Sequence, residues 1–455
     1  MAKITVNPIT RISGFLEIEV TVENNRIIDA KSSGMLFRGF EKMLKGRPPL
    51  DAVYFTERIC GICSTAHSLA ATLALEYALD IEPNENARMI RDFVHGCEFL
   101  QNHIRHFYQY TLPDYIKGPN IHPLINNYSV DLRLPPDRND KLVQHYLEST
   151  KYSRLAHEML AELAGKAPHN HGIFIGGVTV KMDADKWIKV RSILDSILSF
   201  VKDVMLEDVY TIARYYPDYF LNGSGYGNLL SYGLYNTYKD REAFYVNPGI
   251  FKNGTISSFD ENMITENIKY AWYEADQIEN KPTDEVEIEA DRYKEKAYSW
   301  VKAPRYNDVP FEVGPLARMW ISGIYNNGIS TMDRTIARVL EVIKIAEIMQ
   351  ELLKRVELKP SGQRKYSVPD QAEGKGLIDT TRGGLGHWID IKNQKINHYE
   401  IITPTSWNLS PRDTKLQRGP VEEALFCAEI KDIENPVEIG RIVRSFDPCV
   451  SCATH

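Results

Sequence analysis

The sequence predicts a mainly α-helical fold with small peripheral β-sheets, an α+β chain. Three observations lead there. Period-two alternation is confined to the first thirty residues and to one stretch near 386–404. Between them lie several long runs with apolar residues at helical spacing. No internal repeat, low-complexity tract or heptad array interrupts this plan.

The elements follow in order. Leu16, Ile18, Val20 and Val22 share one strand face, and Asn24-Asn25 offers a turn before Ile27-Ile28. From about Asp51 the period becomes helical, and "HSLAATLALEYALDI" is Ala/Leu-rich enough to lie deep inside. Asn84 to Tyr110 sets Met89, Phe93, Val94, Cys97, Leu100, Ile104 and Phe107 on one helical stripe. Further helices are expected over about 141–165 and 184–216, the latter ending before Pro217. Residues 217–260, rich in Gly, Tyr and Asn, predict loops with short strands, and charged 276–296 a solvated excursion. A long amphipathic helix follows from Ser330, then a hairpin over "GHWIDIKNQKINHYEIITP", then a helical stretch over about 420–446. Cys97 and Cys427 fall in apolar runs and are expected as small core residues.

At 455 residues the chain outgrows one simple core, so merged lobes or a large domain with insertions are expected. The net charge of −7 argues against a nucleic-acid binder, which would carry a basic stripe. No run of 18 apolar residues suggests a membrane span. The start, MAKITVNPIT, has no signal-peptide pattern, so any export address would lie on a partner; the compartment is unspecified.

The cysteines carry the chemistry. Cys60 and Cys63 form one Cys-x-x-Cys pair, and Cys449 and Cys452 form another, 389 positions further on. Four thiolates suit soft metals: zinc, iron–sulfur clusters, or nickel and copper in reduced states. Structural zinc pairs usually sit 15–20 residues apart, and a thioredoxin-like motif needs a βαβ context. On spacing alone, structural zinc and a buried catalytic metal joining the chain's two ends both stand.

The flanks separate them. "ERICGICSTAH" holds Arg58, Cys60, Gly61, Cys63 and His67; "DPCVSCATH" holds Asp447, Cys449, Cys452 and His455. Together with "NPITRISG", "LFRGFE", "KAPRYNDVPFEVGPLAR", "RGGLGHW" and "PTSWNLSPRD", these motifs resemble the large, catalytic subunit of nickel–iron hydrogenases. The resemblance implies that family's fold, with a central bundle of long helices, as a single domain over 1–455. Its parts would be an N-terminal β region at about 1–50, a helical core at about 51–216 and 316–357, and a C-terminal hairpin and metal motif at about 380–455. It implies reversible heterolytic cleavage of H2 into protons and electrons, in the direction of H2 uptake.

Carried over residue by residue, the resemblance makes Cys60 and Cys449 terminal nickel ligands. Cys63 and Cys452 would bridge nickel to an iron carrying carbon monoxide and cyanide, a Ni-Fe(CN)2CO centre. Arg382 and Thr405 or Ser406 would face those diatomic ligands, and His67 would direct its N–H at a bridging sulfur, with Arg58, Asp413 and Asp447 around the centre. Glu41 and His455 match ligands to a hard cation, usually magnesium. The proton acceptor would be the Cys449 thiolate, with Arg382 as an alternative. Electrons would pass to an iron–sulfur small subunit, because no further cysteine cluster here could hold a relay. It would dock near Cys60 and the 167–172 loop. A maturation endopeptidase and nickel chaperones are implied too, and an ending at His455 fits a processed, metal-loaded form. The alternatives are a complex I-type scaffold subunit, whose family has lost the cysteines, and a structural zinc protein.

One departure concerns the proton route. Where the family usually has a glutamate after Arg-Ile, this chain has Ser13, which can relay a proton but not store one. Glu57 is the alternative acid. Thr381 and Asn102 are smaller departures, at positions often held by Pro and Asp.

Overall fold

The structure is a computed structural model that describes residues 1–119, 121, 131–238, 244–360 and 364–455. Three antiparallel strands open the chain: β1 (Ala2–Val6), β2 (Leu16–Glu23) and β3 (Arg26–Gly34). Asn24 and Asn25 turn between β2 and β3 with φ of 49° and 60°, which short polar side chains tolerate. Leu16, Ile18, Val20 and Val22 are all buried, as their alternation predicts.

Two short helices, α1 (Phe40–Leu44) and α2 (Asp51–Thr56), lead to the first thiol motif. Then come α3 (Ser64–Ala78), α4 (Glu85–Arg105), α5 (Pro136–Ala164), α6 (Ala184–Phe200) and α7 (Leu206–Tyr215). Wide π turns extend α4 over His106–Thr111 and join α6 to α7 over Val201–Met205. α8 (Pro315–Ile321) precedes the long α9 (Thr331–Arg355). α4, α5, α6, α7 and α9 share the largest core, where Cys97 is fully buried beside Phe93 and Leu100. The polar segment 217–260 holds strands Leu229–Ser231, Gly249–Lys252 and Thr255–Ser258, and its residues 239–243 lie outside the described set.

The expected hairpin is present as Gly383–Lys392 and Lys395–Ile402. A third strand, Gln371–Thr380, pairs with it; its glycines and lysines hid the alternation. The glycines serve contact instead. A Cβ on Gly376 would stand 2.0 Å from the Ala70 carbonyl, so only glycine lets this strand lie on the alanine face of α3.

The predicted helix over 420–446 is broken. α10 (Pro404–Asn408) and α11 (Pro420–Leu425) precede a loop, and α12 (Val437–Ser445) follows it. The loop's amides at Cys427 and Ile430 donate to Ile27 and Asn25 carbonyls, so the N-terminal sheet claims this backbone. Cys427 is accordingly exposed, with φ of 65°, and not in the core as its apolar neighbours suggested. α13 (Val450–Ala453) ends the fold. No helix among the described residues is long and apolar enough to cross a membrane.

Candidate metal centre

The two Cys-x-x-Cys pairs meet at the helix starts they introduce. Cys63 caps α3, and Cys449 caps α13. Their four sulfurs lie within 4.8 Å of one another, all buried. Cys60 Sγ is 3.4 Å from Cys449 Sγ, Cys63 Sγ is 3.1 Å from Cys452 Sγ, and Cys449 and Cys452 are 2.8 Å apart. Hydrogen bonds from its neighbours, Cys449 first, hold the Cys60 thiol well below its ordinary range. The same sharing pushes Cys63 up, and burial does so for Cys452. Four buried sulfurs this close together form a donor set that suits a soft metal, which would displace the thiol protons on binding.

The terminal segment is held from three sides. Val450 N donates to Ser13 O at 2.7 Å, and Ser13 N to Pro448 O at 3.2 Å, so Ser13 lies alongside Cys449. Gly14 follows because a Cβ there would meet Ser451 N at 2.8 Å, and its φ is 90°. Arg38 donates to the carbonyls of Ile59, at 2.6 Å, and Ser451, one from each thiol motif. Thr405 Oγ1 accepts the Cys449 amide at 3.1 Å.

A small cavity against the sulfurs is lined by Ala66, His67, Thr380, Arg382, Leu385, Pro404 and Thr405. Arg382 donates to the Asp447 carbonyl and carboxylate, at 2.9 and 3.1 Å, and to Asn102 at 2.8 Å. Its Nη1 is buried without a hydrogen-bond partner. Burial alone would lower this guanidinium, but Asp447 and the thiols keep it firmly protonated. A donor of this kind beside apolar walls fits small electron-rich ligands on a thiolate-held metal.

Beside the terminus, His455 Nε2 lies 3.2 Å from Glu41 Oε1, and His455 Nδ1 is 2.6 Å from the Cys452 carbonyl. Lys302 joins Glu41 and Glu266, each at 3.2 Å, and Glu400. Burial would raise Glu41, but Lys302 and His455 hold it well below the usual carboxylate range, while burial beside Glu41 pushes Glu400 up. An ionised carboxylate and an imidazole facing each other are donors a hard cation accepts.

Of the other expected residues, His67 stays at the cavity and the rest lie outside its lining. His67 Nδ1 meets His387 Nε2 at 3.2 Å, and burial lowers it to about 3. Ser406 Oγ bonds Thr403 Oγ1 at 2.9 Å. Asp413 binds Arg305 at 2.6 Å and the amides of Lys415 and Gln417. Arg58 is half exposed, 3.6 Å from Glu57. Glu57 is buried, with Ser68 alongside but outside hydrogen-bonding geometry; burial pushes its carboxyl up to about 7. Residues given no role from sequence are Arg38, Lys302, His387 and Glu98. The last accepts the Thr65 and Ala66 amides at the start of α3. "LFRGFE" held Arg38 in plain view, whereas Glu98 was hidden among the charges of a helix.

The family model for nickel-dependent hydrogenases matches residues 38–122, 112–329 and 322–455. Over its whole length the chain is 35% identical to the periplasmic [NiFeSe] hydrogenase large subunit of Desulfomicrobium baculatum, covering 95% of that protein. It is 30% identical to the hydrogenase-2 large chain of Escherichia coli, covering 97%, and 31% identical to the quinone-reactive Ni/Fe-hydrogenase large chain of Wolinella succinogenes, covering 96%. A reduced, active form of the D. baculatum Ni-Fe-Se hydrogenase superposes with a TM-score of 0.96 at 36% identity, covering both chains completely.

Proposed function

The chain belongs to the nickel-dependent hydrogenase family as a catalytic large subunit, and from that premise we propose that it oxidises H2 to two protons and two electrons. The four buried sulfurs beside the unpaired Arg382 Nη1 carry this reading. Cys60 and Cys449 would hold nickel as terminal ligands, and Cys63 and Cys452 would bridge it to an iron bearing cyanide and carbon monoxide. When bound, this group supplies the heterolytic splitting of H2 and takes up its electrons. Relatives are named for selenium; here all four ligand positions are cysteine.

The chain's own residues then have distinct tasks. Cys449 sulfur takes the first proton, since a thiolate has a free lone pair there and Arg382 is already fully protonated. Arg382 Nη1 and the Thr405 hydroxyl orient the diatomic ligands, and Asp447 with Asn102 fixes the guanidinium plane. Ser13 pairs with Cys449 through its backbone, which makes its hydroxyl the candidate relay in place of the family's carboxylate, and Glu57 is a buried acid that can keep a proton near neutral pH. Glu41 and His455 would hold magnesium, fastening the last helix.

Electrons must leave to an iron–sulfur small subunit. Exposed Tyr54, packed on His171, with Arg58 and the loop at 167–172, whose His169 bonds Ser64 and the Glu57 carbonyl, makes the surface over Cys60 a suitable face. The quinone-reactive relative supports the uptake direction. Elemental analysis of the purified enzyme with infrared spectroscopy tests the whole reading. Nickel and iron in equal amount with carbon monoxide and cyanide bands are expected; zinc, or no metal and no bands, overturns it.

A further inference from the structure

Among the described residues, α4 buries a second, polar face that the metal centre does not account for. Arg91, His95, Glu98 and Asn102 recur every three or four positions, so they form one row along the helix. All four are at most 3% exposed. α3 runs antiparallel beside this row: the Thr65 amide donates to Glu98 at 2.8 Å, and Arg91 donates to Glu76 at 2.7 and 3.0 Å. Between those two ties, both ring nitrogens of His95 and the hydroxyl of Thr72 are buried without any hydrogen-bond partner. Each such group costs about 1–3 kcal/mol if left dry, so the seam calls for ordered water.

The row has an inner and an outer end. Inside, Glu98 sits on the amide of Thr65, two residues past Cys63, and Asn102 accepts from Arg382. Outside, Asp92 lies one turn from His95, takes the Tyr238 hydroxyl, and lines a surface groove of about 1220 Å³. Tyr235, whose ring stands 6.5 Å from that of His95, adds another unpaired buried hydroxyl. At 1.5 Å per residue, Asn102 to Asp92 spans about 15 Å.

We propose that Glu98, His95 and Asp92, joined by ordered water and the Thr72 hydroxyl, form a proton route between the thiol centre and the groove. The inference rests on the hydrogen-splitting reading, in which the buried centre must export one proton for each electron. Each hop makes one O–H or N–H bond and breaks another. A proton on the Glu98 carboxylate leaves through water to one His95 nitrogen, the proton on the other nitrogen departs toward Asp92, and no electron moves. Burial supports the division of labour. It pushes Glu98 up to about 8 and Asp92 up to about 6, and lowers His95 to about 3, so Glu98 holds a proton, the imidazole passes it on, and the Asp92 carboxylate takes it at the groove.

The test uses metal-loaded enzyme carrying His95→Phe or, separately, the nearly isosteric Thr72→Val, which carries the test alone should the first not fold. Nickel, iron and the infrared bands should stay as in wild type. H2/D2O exchange should slow on the order of 10- to 100-fold, and the solvent isotope effect on turnover should rise. Full metal content with unchanged exchange and isotope effect overturns the route. So does slower exchange that merely tracks lost metal with the isotope effect unmoved, since that is a structural role. Wild-type enzyme with nickel and iron but no exchange would instead overturn the hydrogen-splitting reading itself.

Discussion

Arg382 and Glu57 show how far single residues can be read. The four cysteines and Arg382 were legible because their motifs fix both residue and neighbours; the structure gathers the four sulfurs and sets Arg382 in the cavity that three of them line. Asp413 and Arg58 belong to equally clear motifs yet serve a buried ion pair and the surface; a motif does not say which way a side chain points. Arg382→Lys should keep nickel but lose the fork that grips Asp447 and Asn102, lowering turnover on the order of 10²- to 10³-fold. H2-dependent dye reduction beside metal analysis checks this, and activity within twofold of wild type would make the fork dispensable. For Glu57 the sign is set by burial, which raises its carboxyl to about 7 in the folded chain from 4.5 when exposed. The folded state therefore binds the extra proton, and stability falls as pH rises from about 4.5 through 7. Glu57→Gln should remove that fall, so its thermal midpoint relative to wild type should climb between pH 5 and pH 8. A constant difference across that range would place the carboxyl in water.

At the scale of elements, periodicity located α4, α9 and the hairpin, because long apolar stripes leave few alternatives. It failed at 420–446, where backbone bonds to the N-terminal sheet outbid local helix propensity, and at Gln371–Thr380, where glycines replace the expected branched residues. The contact of that strand with α3 leaves no room for a side chain at Gly374 or Gly376. Gly376→Ala must push its new methyl into the Ala70 carbonyl. It should destabilise by about 2–3 kcal/mol and loosen Cys63 at the head of the same helix. Denaturant unfolding together with nickel retention against a chelator measures both effects; an unaltered midpoint would mean the sheet can slide without cost.

For the whole molecule, the meeting of the two ends was legible from the paired thiol motifs, whereas what secures it was not. Arg38, Lys302 and the Ser13 backbone tie segments that no local pattern connects. If a hard cation sits between Glu41 and His455, added magnesium should stabilise the chain by RT ln(1 + [Mg]/Kd), about 2.7 kcal/mol at a hundredfold excess over Kd. A thermal shift assay should show that gain in wild type and not in Glu41→Gln. Equal shifts in both would locate the ion elsewhere.

The sulfurs of Cys60 and Cys449 touch across 389 residues of chain. Closing so long a loop brings no contact at the centre until almost everything between has been ordered. A nascent chain still lacking its last seven residues has two of the four sulfurs and nothing opposite them. Assembly of the centre is therefore a terminal event in the life of the polypeptide. All four sulfurs meet only when the short helix carrying Cys449 and Cys452 closes against the start of α3.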